Sequence, residues 1–486
     1  MLEKVQADRQ TKLQKIRELG IDPYGGRYDT AEAIKAVCDR FKDDAAEPQS
    51  ADVAGRLILI RDMGKMMFAH LRDPSGSMQI ALRKDALGEK GWALAKLLDL
   101  GDIVAVAGKV QRTKTKEITV WAERLTLLCK SLSPMPEKFH GLADVEIRYR
   151  QRYLDLMANP ASAAVFAKRV AVVEFIRSAL RRRGFVEVET PILQPIYGGG
   201  AARPFTTHHN SLDANLFLRI SPELYLKRLL VGGMEKVFEI GRNFRNEGLD
   251  ARHNPEFTML ELYQAYADYE VMMEITEELI AGAASAVAGR TKLTFGELEL
   301  DFTPPWPRAK YEDLFQEHAG VSMRDAKAVR AKARQLKIEE ANKDDAVVVN
   351  DVFAAAVEPA LARSNRPTFV IDYPADICPL TRRKADDPSI ALRFELYIAG
   401  MEIANAYTEL NDPAVQEANF RQQVKGEGDA AAMRAMDEDF LTALRHGMPP
   451  AGGLGIGIDR VVMLLAGCPS IRDVVLFPLL RQTKES

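Results

Sequence analysis

Cysteine is scarce in this chain and never closely spaced. The four present, Cys38, Cys129, Cys378 and Cys468, lie far apart with no C-x-x-C. That distribution argues against a disulfide framework or a zinc site and for reduced thiols, as in a cytoplasmic protein. No apolar run approaches the length of a membrane span. The opening stretch, MLEKVQADRQTKLQKIRELG, is charged throughout and lacks the apolar centre of a secretory signal. Internal repeats and long low-complexity tracts are also missing. The dinucleotide fingerprint G-x-G-x-x-G is not met by GGLGIGIDR (452–460), whose glycines recur at every second residue. Neither a membrane nor DNA is expected as a partner.

What is present describes an ordinary soluble globular chain. Its 486 residues suggest two to four domains, and 47% hydrophobic with 28% charged residues are typical values. The charge is unevenly spread. Residues 51–140 carry 15 Lys+Arg against 10 Asp+Glu in a chain whose net charge is −3. A basic module joined to an acidic body suggests that the module alone meets a polyanion.

Residues 1–20 read as an amphipathic helix with Val5, Leu13, Ile16 and Leu19 near one stripe, stopped by Gly20. From 52 to 130 follow five short runs of strand formers, with a helical stretch at 88–98 between the third and fourth. That is the order of an OB-fold barrel, a common oligonucleotide binder. Pro134 and Pro136 mark a linker. Residues 161–183 have helical periodicity, closed by Arg181, Arg182, Arg183 and Gly184; FVEVET (185–190) alternates like a strand and Pro191 ends it. The expected layout is therefore an N-terminal helical extension (1–50), a barrel (51–133), a linker (134–150) and a larger domain (151–486). Within the last, an Ala-rich stretch at about 281–345 reads as a helical insertion without catalytic signal.

Three stretches carry the chemistry. GRNFRNEGLDARHNPEFTMLELY (241–263) alternates before and after a polar turn, as an antiparallel hairpin does. Alternation places Arg245 and Glu247 on one face, and Phe257, Met259, Glu261 and Tyr263 likewise share a face. A fixed cation, carboxylates and an aromatic platform on one sheet suit a nucleotide. In GGLGIGIDRVVMLLAG (452–467), Gly453, Gly455 and Gly457 form a side-chain-free strand face that permits close approach. In RFELYIAGMEIANAYTELND (393–412), Glu395, Glu402 and Glu409 recur every seven residues, but the intervening residues fit two strands turning at Ala399-Gly400. Glu395 and Glu402 then approach across the strands. Two carboxylates so close repel unless a divalent ion joins them, which points to Mg²⁺ on ATP. Adjacent His208 and His209 face opposite sides of a strand and do not share an ion.

These stretches resemble a known family. FRNE…RHNPEFTMLE (about 238–263) resembles motif 2 of the class II aminoacyl-tRNA synthetases, GGLGIGIDRVVML (about 452–467) resembles motif 3, and the helix-strand-proline unit at about 170–191 resembles motif 1, a dimer-interface element. GGGAARPFTTHHNSLDANLFLRISPELYLKRLLVGG (198–233) and MEIANAYTELNDP (401–413) make the likeness closest to the lysyl enzymes of bacterial type. The match is looser at GLDAR and AYTEL. The resemblance implies an α+β chain: an N-terminal OB-fold β-barrel plus a class II synthetase catalytic domain built on an antiparallel sheet flanked by helices. It implies a cytoplasmic homodimer that activates L-lysine with ATP and passes it to the 3′-terminal ribose of tRNA(Lys), with Mg²⁺ as cofactor.

Residue roles follow from the same resemblance. Arg245 holds the α-phosphate, and His253 reaches the β- and γ-phosphates, with Arg252 as a weaker choice. Arg460 and Phe257 sandwich the adenine. Glu247 and Asn254 contact adenine or the reacting ends. Glu223 takes the substrate α-ammonium and Glu409 the ε-ammonium. Tyr263, Asn405 and Tyr407 line the slot, Glu261 supports it, and Gly199 lets a loop close on it. Arg56, Phe68, Gln79 and Glu123 match the anticodon-binding positions. Physics separately favours lysine over aspartate: a pocket for aspartate needs a cation, whereas this chain offers Glu223 and Glu409 beyond the pair assigned to magnesium.

Overall fold

A computed structural model describes residues 2–135, 142, 144–200, 202–425 and 436–481. The chain divides into two units, Met1–Ala143 and Asp144–Ser486. Of the linker expected at 134–150, residues 136–141 and 143 fall outside the described residues, and Val145–Arg150 is not linker but a helix of the second unit, capped by Asp144.

Period-two alternation builds the first unit. Strands β1 (Ser50–Asp62), β2 (Met66–Asp73), β3 (Gly76–Arg83), β4 (Ile103–Arg112) and β5 (Ile118–Cys129) close into a barrel in the order β1-β2-β3-β5-β4. On β2, Met67, Ala69 and Leu71 are buried in the barrel core while Phe68 and His70 point the other way. Helix α1 (Leu2–Glu18) buries Leu13 and Ile16, three residues apart on one face. Helix α2 (Lys84–Leu97) joins β3 to β4, so the five strands and their helix stand as the sequence suggests.

The second unit is an eight-stranded sheet backed by helices. In chain order its parts are helix α3 (Pro160–Arg182), β6 (Val186–Glu187), helix α4 (Glu223–Val231), β7 (Lys236–Phe244), β8 (Glu256–Ala265), helix α5 (Tyr269–Ala288), β9 (Arg308–Lys310), β10 (Thr368–Pro374), β11 (Ile390–Ile398), β12 (Met401–Thr408), β13 (Ala451–Gly457) and helix α6 (Ile458–Ala466). The strand order is β9-β10-β11-β12-β13-β8-β7-β6. Only the two edge pairs, β9 on β10 and β6 on β7, are parallel. One face packs on α3, α5 and α6 through Leu260 and Leu262 of β8, Phe394 and Leu396 of β11, Ala404 and Ala406 of β12, and Leu454 and Ile456 of β13. Alternate residues of the same strands therefore face the other side, where the site lies.

The turn between β11 and β12 is tight: Ala399 and Gly400 have φ of 50° and 70°, the positive pair that two-residue hairpins need. A register shift follows, pairing Tyr397 with Glu402 but Glu395 with Asn405. The extra residue brings Glu402 to the face that carries Glu395.

Three further expectations need correction. The strands around motif 2 are present, but β7 ends at Phe244, so Arg245 and Glu247 lie in the connecting loop rather than on a strand. Loop hydrogen bonds, Arg245 N to Pro255 O at 2.8 Å and Asn246 N to Arg203 O at 2.8 Å, take the place of the ladder. Of 185–190 only Val186–Glu187 is strand. The stretch at 281–345 is not a helical insertion throughout. Its first residues are the buried end of α5, where Ala281, Ala283 and Ala284 are small because they pack in the core. A two-stranded hairpin, Lys292–Phe295 with Leu298–Asp301, comes next. The surface helix Ala326–Gln335 stops before KIEEANK, where Lys337 has φ of 59° and Arg330 binds the carbonyls of Glu340 and Lys343. Among the described residues no helix is long and apolar enough to cross a membrane.

Candidate active site

The outward face of β8, β12 and β13 floors a cavity of about 530 Å³. At one end lies a slot of buried carboxylates. Glu261 and Tyr263 come up from β8, Asn405 and Tyr407 from β12, and Glu223 from the first turn of α4. Ser221 Oγ lies 2.8 Å from Glu261 Oε1 and accepts the Glu223 backbone N–H at 3.0 Å. Tyr263 donates to Glu261 Oε2 at 3.3 Å. Lys227, one helical turn beyond Glu223, donates to Glu223 Oε1 at 2.6 Å and also pairs with Glu409 Oε2. Glu223, Glu261 and Glu409 are 2%, 4% and 1% exposed.

Two glycines make room for these groups. Gly199 has φ of +79°, and a Cβ there meets Glu223 Cβ and Ser221 Oγ at 2.9 Å. A Cβ on Gly453 runs into Glu409 Oε1 and lies 2.5 Å from the Tyr263 ring. The bare face of β13 thus admits a carboxylate and a ring from its neighbours.

Burial, then the neighbouring Glu223, pushes the Glu261 carboxyl up to about 8. Burial likewise pushes Glu409 up to about 8 against the pull of Lys227. Glu409 Oε1 accepts no hydrogen bond among the described residues. Three buried carboxylates against one ammonium leave a slot short of positive charge, which ligand ammonium groups can supply.

The other end is built from cations and a ring. The Arg245 guanidinium sits 5.2 Å from the Phe257 ring centroid, and its Nε lacks a hydrogen-bond partner among the described residues. Arg460 donates to the Glu402 carbonyl at 2.5 Å and lies 3.0 Å from His253 Nε2. His253 Nδ1 is 2.8 Å from Asp250 Oδ2. Buried Asn254 donates to Glu256 O at 2.6 Å, and exposed Glu247 borders the cavity. An aromatic face under one guanidinium, with a second guanidinium bordering the same cavity, suits a phosphate chain and a flat base.

Glu402 borders the cavity, and its carboxyl is pushed up to about 7 by burial, then by Glu395. Glu395 stands behind it, engaged by Arg393, by Tyr373 at 2.9 Å and by Tyr397 at 2.8 Å. Hard oxygen donors that repel one another fit a divalent cation completed by ligand phosphates. Among the described residues no group of three or more potential metal ligands exists. His208 and His209 have separate partners, Asn215 and the Leu212 backbone.

Of the catalytic-unit residues named from sequence, Glu395 and Glu409 are set back behind the lining and the rest border the cavity. Sequence reasoning missed Ser221, Lys227 and Arg393. Lys227 was legible only as an i,i+4 partner of Glu223. Arg393, beside Glu395, stacks 5.7 Å from the Tyr407 ring and 4.8 Å from that of Tyr373.

On the barrel, Phe68 is half-buried and meets Trp121 edge-on at 6.2 Å. Gln79 donates to Glu117 at 2.8 Å and accepts from Thr119 at 2.9 Å. Glu123 is exposed, and Arg56 donates to Gly101 O at 2.7 Å. Register pairs Phe68 with Ala81, Ala81 with Trp121 and Arg56 with Arg72, so Phe68, Trp121 and Arg56 share the outer face.

Comparison with known proteins agrees with both units. Residues 144–481 match the tRNA synthetases class II (D, K and N), and residues 51–128 match the OB-fold nucleic acid binding domain. The sheet and its cavity are thus those of a class II tRNA synthetase. The lysine–tRNA ligase of Moorella thermoacetica is 52% identical over 485 residues, covering 99% of this chain and 98% of that protein. That of Pelotomaculum thermopropionicum is 52% identical over 97% of this chain and 94% of its own length, and that of Staphylococcus saprophyticus 49% identical over 98% of each. The chain belongs to the lysine–tRNA ligase family.

Proposed function

We propose that this chain activates L-lysine with ATP to lysyl-adenylate and pyrophosphate, then transfers lysine to the 3′-terminal ribose of tRNA(Lys). The observation that carries the reading is the slot itself: three buried carboxylates, one internal ammonium, and a guanidinium at its open end. Lysine brings two ammonium groups and one carboxylate, the complement of that set. The α-ammonium goes to Glu223, the ε-ammonium to Glu409, and Asn405, Tyr407 and Tyr263 wall the chain between them. Glu261 supports the first of these sites. A neutral side chain leaves a carboxylate unpaired and is rejected strongly.

Neither step needs a protein nucleophile. Arg245 binds the α-phosphate and stabilises the charge that develops as the lysine carboxylate attacks phosphorus. Phe257 and Arg460 hold adenine between them, with Glu247 and Asn254 at its edges or beside the reacting ends, and His253 contacts the β- and γ-phosphates. Glu402 and Glu395 hold Mg²⁺, which when bound supplies charge neutralisation on the phosphate chain. The barrel face with Arg56, Phe68, Gln79 and Glu123 reads an unstacked anticodon, Phe68 by stacking and the polar pair by base-edge hydrogen bonds. The working form is a cytoplasmic homodimer. Exposed apolar side chains around motif 1, among them Tyr153, Leu156, Val170, Ile192 and Leu193, support a second copy as their cover.

The test is ATP–pyrophosphate exchange with Mg²⁺ and lysine, ornithine, arginine, aspartate or asparagine. Exchange led by lysine is the expected result. Exchange led by aspartate or asparagine would overturn the roles of Glu223 and Glu409.

A further inference from the structure

The lysine slot contains an ammonium of the protein's own. Lys227 is 0% exposed, does not border the cavity, and sits beneath Glu223 and Glu409, touching one oxygen of each. A buried lysine is exceptional, because desolvating an ammonium costs several kcal/mol unless charge partners offset it (roughly this order in real proteins). Two carboxylates do so here and hold its pKa above the ordinary lysine value despite full burial.

We propose that Lys227 is a positioning residue for the amino-acid substrate: by clamping one oxygen of Glu223 and one of Glu409 it aims their remaining oxygens at the two substrate ammonium groups and so sets the chain length accepted. The inference rests on the lysine-activation reading above. Its geometry is direct. Lys227 pairs with Oε2 of Glu409, and Oε1, packed over Gly453, has no hydrogen-bond donor among the described residues. Lys227 also fixes the distance between the two acids, since one Nζ spans both. A substrate shorter by one methylene then reaches one acid and not the other.

Charge counting gives the same answer. Once Glu261 and Glu409 have given up the protons that burial favours, Glu223, Glu261 and Glu409 minus Lys227 leave two uncompensated carboxylates for two substrate ammoniums. Without Lys227 three carboxylates face two ammoniums, and one must take a proton. Among the described residues the titratable groups facing Lys227 are Glu223 on its own helix, Tyr263 on β8 with its ring centroid 6.0 Å away, and Glu409 just beyond β12; Glu261 and Tyr407 act on it through Glu223. Both tyrosines are held protonated by burial, then by Glu223. Removing the ammonium raises the pKa of its carboxylate partners, so full affinity for lysine requires a higher pH.

The experiment is ATP–pyrophosphate exchange by the full chain and its Lys227→Met and Lys227→Arg variants, with lysine and with ornithine, from pH 6.5 to 9. Lys227→Met is expected to raise the KM for lysine about tenfold at pH 7, to move the pH midpoint of KM upward by about one unit, and to leave kcat within about threefold. Its lysine-to-ornithine preference falls. Lys227→Arg keeps the charge and the midpoint but changes the preference, because a planar fork cannot occupy the same point between two acids. A merely structural lysine predicts no change in midpoint or preference in either variant, and that result overturns the proposal. Should Lys227→Met not fold by circular dichroism, Lys227→Arg decides alone, an unchanged preference being the adverse result. Failure of the unaltered chain to exchange with lysine would instead sink the reading on which the inference rests.

Discussion

The two ends of the cavity are built by different means. At the amino-acid end, Glu261, Tyr263, Asn405 and Tyr407 stand on the two strands that flank β13, and the acids are almost wholly buried and linked through Ser221 and Lys227. At the nucleotide end, Arg245, Glu247 and His253 lie on a loop, and the His253 side chain is 49% exposed. Discrimination between lysine and its near analogues rests on one methylene and one charge, so it needs a rigid, dry frame. ATP offers a long phosphate chain and a broad ring, and a loop that closes over them serves well.

The sharpest way to break this contrast is Arg245→Ala. It should lower adenylate formation by about three orders of magnitude, as loss of a charge-stabilising donor does, and leave tRNA binding intact by filter assay. Equal activity would remove the loop from the chemistry. Next, Glu409→Gln should raise the KM for lysine about a hundredfold, because the substrate ammonium and Lys227 both lose a buried partner (~3 kcal/mol); the KM for ATP should hardly move. A comparable rise in both constants would mean that the two ends are not separable.

Titration should sharpen the comparison. Glu261 and Glu409 are pushed up to about 8, so below that pH Glu409 carries a proton that must leave before the ε-ammonium can pair with it, and Glu261 adds no negative charge beside the α-ammonium site. The KM for lysine should therefore fall as pH rises from 6.5 through 8, at most about tenfold per unit for each proton released. Glu402 is pushed only to about 7. The KM for ATP with Mg²⁺ should improve in the same direction as pH rises. A KM for either substrate that rises with pH would contradict these protonation states. The smallest effect belongs outside the cavity: Phe68→Ala should weaken tRNA charging by ~1 kcal/mol or more, about fivefold, with lysine activation unchanged. Loss of both would assign Phe68 to the stability of the barrel.

Much of this was legible in the sequence because strands announce their faces. Alternation in FTMLELY separated Phe257, Met259, Glu261 and Tyr263 from Leu260 and Leu262, and the structure puts the first set at the cavity and the second in the core. Alternate glycines did the same for β13, and Ala399-Gly400 marked the one turn that excludes a helical heptad through Glu395, Glu402 and Glu409. The errors have equally local causes. Alternation ran on past Phe244 although the ladder ended there, since a pinned loop can also be extended. Alanine at 281–284 signified close packing at the end of a core helix, not the start of an insertion, and composition alone does not separate the two. Lys227 escaped because a lysine on a helix is exposed by default, and only its two acidic neighbours reverse that expectation.

The sequence by itself determined the barrel's five strands with their helix between the third and fourth, the family and nearly all of the residues that meet at the cavity, because each rests on local periodicity or on a motif whose spacing is its content. The tertiary structure alone decided that Lys227 joins Glu223 to Glu409, that Glu395 stands behind Arg393, and that Gly453 yields its place to a carboxylate. Glu409 meets Lys227 and Gly453 from tens to hundreds of positions away, and even for near neighbours such as Arg393 and Glu395 whether a charge is buried and paired depends on what the folded sheet places around it, which no stretch of chain contains.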